Sequence, residues 1–224
     1  MKGFWERLFG KRRAEARPPE PANDGEEDLL EDLRDEVRRE VAAGFENREG
    51  IVEKAVAAYE DVADRSFLEI EARRLADEAL AEHRDEQRAW PAQTDCDRLD
   101  AAFAALDKAG IVARQNFTCC GTCGLAEIDR EIAAAGAEGV RTRGYAFYHW
   151  QDTEAAVDGY GLCLYYGSCF EGEALDLAIG HEIVAELERH GLSPQWNGEV
   201  SRRIELPLDW KRRRPAEEEG AAVA

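Results

Sequence analysis

Apolar residues recur at every fourth position from Leu29 through Leu33, Val37 and Val41 to Phe45, with charged residues filling the intervals. That spacing lays one apolar stripe along a helix. Ile51, Val52, Val56 and Tyr59 predict a second helix. Ser66 and Glu69 have the spacing of a capping box ahead of Phe67, Ile70, Leu75 and Leu80, a third helix that Trp90-Pro91 ends. Beyond it, elements alternate. Thr94 or Asp95 can cap a helix carrying Leu99, Phe103 and Leu106, stopped by Gly110. Further helices are predicted over residues 122–135 and 175–190, the second with Leu175, Ile179, Ile183 and Leu187 inward. Strands are predicted over 111–118, 144–151, 162–166 and 202–210. The 144–151 run has aromatics on both faces, which suits a central strand. Pro207 lacks an N–H for a ladder, which places the last strand's end at an edge.

From residue 111 the order reads β-α-β-β-α-β, the split-βαβ order of ferredoxin-like folds. The expected architecture is therefore α+β, a ferredoxin-like sheet domain preceded by a helical region. The boundaries expected are a leader and disordered linker (1–27), a helical region (28–90), an α+β domain (91–214) and a disordered tail (215–224).

The 224 residues suffice for one sizeable core with a helical extension. The net charge is −19 and unevenly spread, +4 over residues 1–17 but −13 over 20–90 and −11 over 91–199. So acidic a body repels phosphate backbones, and no nucleic-acid partner is expected. The basic run Lys211 to Arg214 reads as a solvated tail flanking the last strand. No stretch is long and apolar enough for a transmembrane segment, and no secretory signal is visible. Six cysteines then read as reduced cytoplasmic thiols. In residues 2–13, Phe4, Trp5, Leu8 and Phe9 share a helical face beside a basic end. That composition fits docking to a protein partner or, peripherally, to the inner membrane surface.

The densest chemistry is Cys119-Cys120-Gly121-Thr122-Cys123, between a predicted strand and a predicted helix. Free N–H groups at a helix start favour thiolate over thiol. Cys120 and Cys123 make a Cys-x-x-Cys pair, with Cys120 as nucleophile and Cys123 as resolver in a redox reading. In a zinc reading Cys119, Cys120 and Cys123 need completion, for which Cys96 and His149 are the candidates. In a packing reading the cysteines are small buried residues beside a tight glycine turn. His149 could act as a base oriented by Asp152, but strand neighbours three apart face opposite ways. A core histidine bonded to backbone fits that placement better. No phosphate-cradling loop, zinc-protease helix or nucleophile elbow is present.

Three runs carry a resemblance: Trp90 to Asp97, Ala113 to Gly124 and Gly144 to Glu154. They contain the blocks Asn-Phe-Thr-Cys-Cys-x-Thr-Cys-Gly and Tyr-His-x-Gln-Asp-Thr-Glu. The chain resembles, from about residue 28 to 214, an uncharacterised bacterial family filed as a domain of unknown function. The resemblance implies no activity, and Cys163 and Cys169 lie outside its blocks. Two classes of function are expected. The first is a non-catalytic cytoplasmic binding or regulatory module without cofactor. The alternative is a thiol-dependent protein, zinc-binding or redox, centred on Cys119, Cys120 and Cys123.

Overall fold

The computed structural model describes residues 24–215. The segment 2–13 expected to dock, the expected linker as far as residue 23 and the expected tail from 216 lie outside the described residues. Asp24 to Glu27, expected in the linker, already belong to the first helix.

Helices α1 (Asp24–Ala43), α2 (Arg48–Tyr59) and α3 (Arg65–Gln87) bury Leu33, Val37, Val41, Ile51, Val56, Leu68, Leu75 and several alanines against one another. Small alanines let the helices approach closely, and the fourfold spacing of α1 supplies its buried stripe. The start of α3 is capped by Asp64, whose carboxylate accepts from the N–H groups of Ser66 and Phe67, so Ser66 is not the cap. Ile70 points to solvent, 67 % exposed.

The second half contains α4 (Asp95–Lys108), β1 (Ile111–Arg114), α5 (Gly121–Ala137), β2 (Gly144–Phe147), α6 (Trp150–Val157), β3 (Leu162–Ser168), α7 (Glu173–Arg189) and β4 (Ile204–Leu206). The strands form one sheet in the order β1-β2-β3-β4. β1 and β2 are parallel, and the other neighbours are antiparallel. β2 is central and β4 an edge strand, as the aromatics and Pro207 imply. The ferredoxin-like expectation does not survive this order. A split βαβ needs a third strand between its two parallel strands, whereas here β1 and β2 are direct neighbours, Ile111 opposite Gly144.

Three predicted strands are shorter than expected, the last, over 202–210, keeping only Ile204–Leu206. The 144–151 run stops at Phe147 because His149 and Asp152 make a capping box. The Asp152 N–H donates to His149 Nδ1 while the His149 N–H donates to Asp152 Oδ2, which starts α6. The 111–118 run stops at Arg114 because the chain turns through left-handed backbone at Asn116 and Thr118.

One sheet face is closed by α4 and α7. Leu99, Phe103 and Leu106 from one helix and Ile179, Ile183 and Leu187 from the other pack on Ala146, Leu162, Leu164, Ile204 and Leu206. Leu175, expected inward, is 45 % exposed. The opposite face has a small cluster of Val112 and Phe147 under Ile128 of α5.

The run Lys211 to Arg214 is not a solvated tail. It straps the two halves together. Arg212 is half-buried, donates to both Asp100 oxygens (2.8 and 3.2 Å) and to Gln115 Oε1 (2.8 Å), and stacks on Phe45. Arg214 donates to the backbone carbonyls of Glu40, Val41 and Glu46. α1 has no basic residue in its own last turn. The Arg214 guanidinium therefore supplies the cation that the carbonyl end of α1 lacks.

Candidate functional site

The site is built by the segment between β1 and α5. Phe117 N–H donates to Tyr148 O (2.8 Å) and Trp150 N–H to Thr118 O (3.1 Å), pinning the segment beside the end of β2. Between these bonds Asn116 (φ 49°) and Thr118 (φ 59°) are left-handed. A β-branched residue there costs about 1–2 kcal/mol. Local bonds hold the turn, from Thr153 Oγ1 to Asn116 Oδ1 (2.8 Å) and from Thr118 Oγ1 to Cys120 O (3.2 Å). The turn delivers Cys119 and Cys120 to the start of α5.

Cys120 is the N-cap, in extended conformation, and its carbonyl accepts the Gly124 N–H (2.9 Å). The first turn of α5 presses on the sheet. A methyl group added at Gly121 would overlap the Tyr165 hydroxyl, and one at Gly124 would overlap the Phe147 ring. Glycine at both positions is what lets the helix start lie this close.

The sulfurs of Cys119, Cys120 and Cys123 all lie within 4.8 Å of one another, with Cys119 and Cys123 3.4 Å apart. Cys119 is exposed and the other two are half-buried. The Cys120 thiol is held below the ordinary thiol value. The Cys123 N–H and then the Cys123 thiol hydrogen-bond its sulfur, with the Cys119 thiol and the Thr122 N–H adding to them. The Cys123 thiol is pushed up to about 12, because its hydrogen bonds with the Cys119 and Cys120 sulfurs favour its protonated form and negative charge on them opposes a further thiolate. One thiol is thus primed to ionise while its partner keeps its proton. Three close sulfurs can also hold a metal ion, zinc among them.

The other candidates stand apart. Neither Cys96 nor His149 joins the group of convergent ligand atoms. Cys96 is 1 % exposed on α4, and burial pushes its thiol up to about 12. His149 is buried with both ring nitrogens facing Asp152, Nδ1 receiving its N–H and Nε2 lying 3.1 Å from its carboxylate. Burial holds His149 below the ordinary imidazole value and Asp152 above the ordinary carboxylate value. With both nitrogens engaged, the ring serves as a cap for α6. The cap puts the two residues together, where a strand would have set them on opposite faces.

Two features escaped the sequence. Tyr165, on β3, stacks on Phe147 with ring centroids 4.9 Å apart and abuts Gly121. Arg203 lies over the Tyr165 ring at 4.8 Å. The glycines at 121 and 124 signal a close approach, but nothing in the spacing says which ring they approach. On the other side of Cys119 is a cleft of about 520 Å³ lined by Glu36, Glu46, Lys54, Asn116 and Trp150. It joins α1 and α2 to the cysteine segment. Behind it, buried Glu40 accepts from Trp150 Nε1 (2.9 Å) and Lys54 Nζ (3.2 Å).

Fold and site together define an α+β protein with a three-cysteine cluster at a helix start. The chain belongs to the family described as a domain of unknown function, DUF6891, whose model matches residues 26–214. No curated protein and no solved structure matches it. No helix among the described residues is long and apolar enough to cross a membrane.

Proposed function

We propose that the protein carries out thiol–disulfide exchange, with Cys120 as the attacking thiolate and Cys123 as the resolving thiol. The observation that carries this reading is the place of Cys120, the N-cap of α5 with backbone N–H groups and the Cys123 thiol turned to its sulfur. In the reaction the Cys120 thiolate attacks one sulfur of a substrate disulfide, forming a mixed disulfide and releasing one substrate thiolate. That thiolate takes up the proton of Cys123. The Cys123 sulfur then attacks Cys120, forming the Cys120–Cys123 disulfide and releasing the second substrate thiolate. Two electrons pass from the protein dithiol to the substrate disulfide. The reverse sequence oxidises a substrate dithiol. Cys119, exposed and outside the pair, is not needed for the balance.

The test uses 2-hydroxyethyl disulfide, a neutral substrate, with products mapped by mass spectrometry. The wild type is expected to lose two thiols as a Cys120–Cys123 disulfide, Cys123→Ser to trap a mixed disulfide on Cys120, and Cys120→Ser to stop reaction at the cluster. Labelling of Cys120 no faster than that of Cys163 would sink the proposal.

A second reading is favoured by the convergence of all three sulfurs, which exchange does not require. In it Cys119, Cys120 and Cys123 bind one zinc ion as thiolates, leaving a fourth position open. Protein purified without chelator would then carry about one zinc per chain, lost in Cys119→Ser as well as Cys120→Ser. Cys119→Ser separates the two readings, since exchange proceeds without it.

A further inference from the structure

We propose that the open half of the sheet face beside α5 binds the anionic end of the substrate, a low-mass disulfide bearing carboxylate groups. The inference rests on the exchange reading and adds a substrate class to it.

The apolar cluster under α5 takes in β1, β2 and, on β3, Tyr165, and it does not extend to Cys163 or β4. Cys163 and Tyr165 lie two residues apart on β3 and so share that face. At Tyr165 the face meets the thiol helix, through the contact with Gly121. At Cys163 it opens into a groove of about 540 Å³, lined also by Gln195, Asn197, Ser201, Arg202 and Arg203. That is the size of a small-molecule site.

Arg203 spans the two ends. Its guanidinium carbon lies over the Tyr165 ring, 4.8 Å from the centroid, and its ion pair with Asp152 is long, 3.8 Å. By contrast Arg143 grips Glu182 through two bonds of 3.0 and 2.7 Å, which occupy its fork. Arg203 is therefore positioned by stacking, with donors left for a carboxylate. Arg202 adds a second cation, and Glu205 is the one acid of the groove lining. A protein of net charge −19 repels anions at long range. A local cationic groove linked through Tyr165 to Gly121, the residue after the attacking thiol, has a use if the disulfide arriving there is anionic.

The experiment compares three disulfides of similar length: anionic 3,3′-dithiodipropionate, neutral 2-hydroxyethyl disulfide and cationic cystamine. The readout is the second-order rate of reaction at Cys120 in the full chain. The expected result is an anionic-to-neutral rate ratio several-fold above that of a small free thiol. The ratio should fall toward that reference in Arg203→Gln and also as salt shortens the reach of charge. Equal ratios in wild type and Arg203→Gln, or a preference for cystamine, would overturn this inference alone. Failure of all three probes at Cys120 would overturn the exchange reading and this one with it. Should Arg203→Gln not fold, Arg202→Gln and the salt series carry the same test, since Arg202 is exposed.

Discussion

The two faces of the sheet solve different problems. Toward α4 and α7 the sheet presents mainly aliphatic groups, and Leu162, Leu164, Ile204 and Leu206 are at most 1 % exposed. Toward α5, the same strands present Cys163, Tyr165 and Glu205, and one helix covers one half. The closed face is a core in which each contact is replaceable by another of similar volume. The half-open face collects the polar and reactive groups: three sulfurs, a stacked arginine and the His149–Asp152 cap. Chemistry gathers where apolar cover runs out, because a thiolate needs donors and access that a closed core denies it.

The largest expected effects probe this contrast on a single strand. Leu164→Ala should cost about 2–5 kcal/mol, the transfer of the side chain plus the cavity it leaves. Its neighbour Cys163→Ala, on the other face, should cost less than about 1 kcal/mol. Urea unfolding with an unchanged slope measures both. Similar losses would mean that the two faces are equally closed. Next in size is Arg212→Ala, expected to cost about 2–3 kcal/mol because Asp100 loses its cation, Gln115 loses one of two donors, and the Phe45 and Trp210 rings lose their cover. Its signature is a loss of cooperativity between the helical half and the sheet half, seen as non-coincident probes in the transition.

The helical half was legible because its chemistry is simple. Leu33, Val37 and Val41 face one apolar neighbourhood, and a periodic stripe states that directly. The Thr94 cap, too, was readable from residue type, its hydroxyl accepting from Asp97 N–H. What failed were places where a side chain bonds back to its own backbone. His149 is a rare cap, so a helix hid inside an aromatic run that reads as strand. Asn116 and Thr118 adopt left-handed backbone without glycine, so β1 read four residues too long. Lys211 to Arg214 look like any solvated basic run, because the Asp100 carboxylate, the Phe45 ring and the α1 carbonyls that hold Arg212 and Arg214 are more than a hundred residues away. The cysteine cluster itself was visible from density and setting. Its partners Tyr165 and Arg203 were not, because only the folded sheet brings β3 and the turn before β4 to the start of α5.

Gly124→Ala is a smaller perturbation that sharpens the picture of the half-open face. The added methyl meets the Phe147 ring, so α5 must lift or the ring must turn, at about 1–3 kcal/mol. If the helix lifts, the Cys120 labelling rate changes along with stability. If only the ring turns, stability falls and the rate holds. Thermal melting and alkylation kinetics on one sample separate the two, and an unchanged melting temperature would contradict the close packing described.

The smallest effect in energy bears most on mechanism. Cys120 lies below the ordinary thiol value and Cys123 at about 12. Alkylation needs the thiolate, so the Cys120 rate should climb with pH and level off at a pH below that of a free cysteine, about 8.5. Cys123 should stay slow across the neutral range. Removing the Cys123 proton donor by Cys123→Ala takes away one hydrogen bond to the Cys120 sulfur and leaves the backbone N–H groups and the Cys119 thiol. The midpoint for Cys120 should therefore move upward, yet stay below the free-thiol value. A midpoint that does not move would show that the helix start alone sets the ionisation. A midpoint at or above the free-thiol value would show that the thiol partner does, and that the place of Cys120 at the head of α5 counts for nothing.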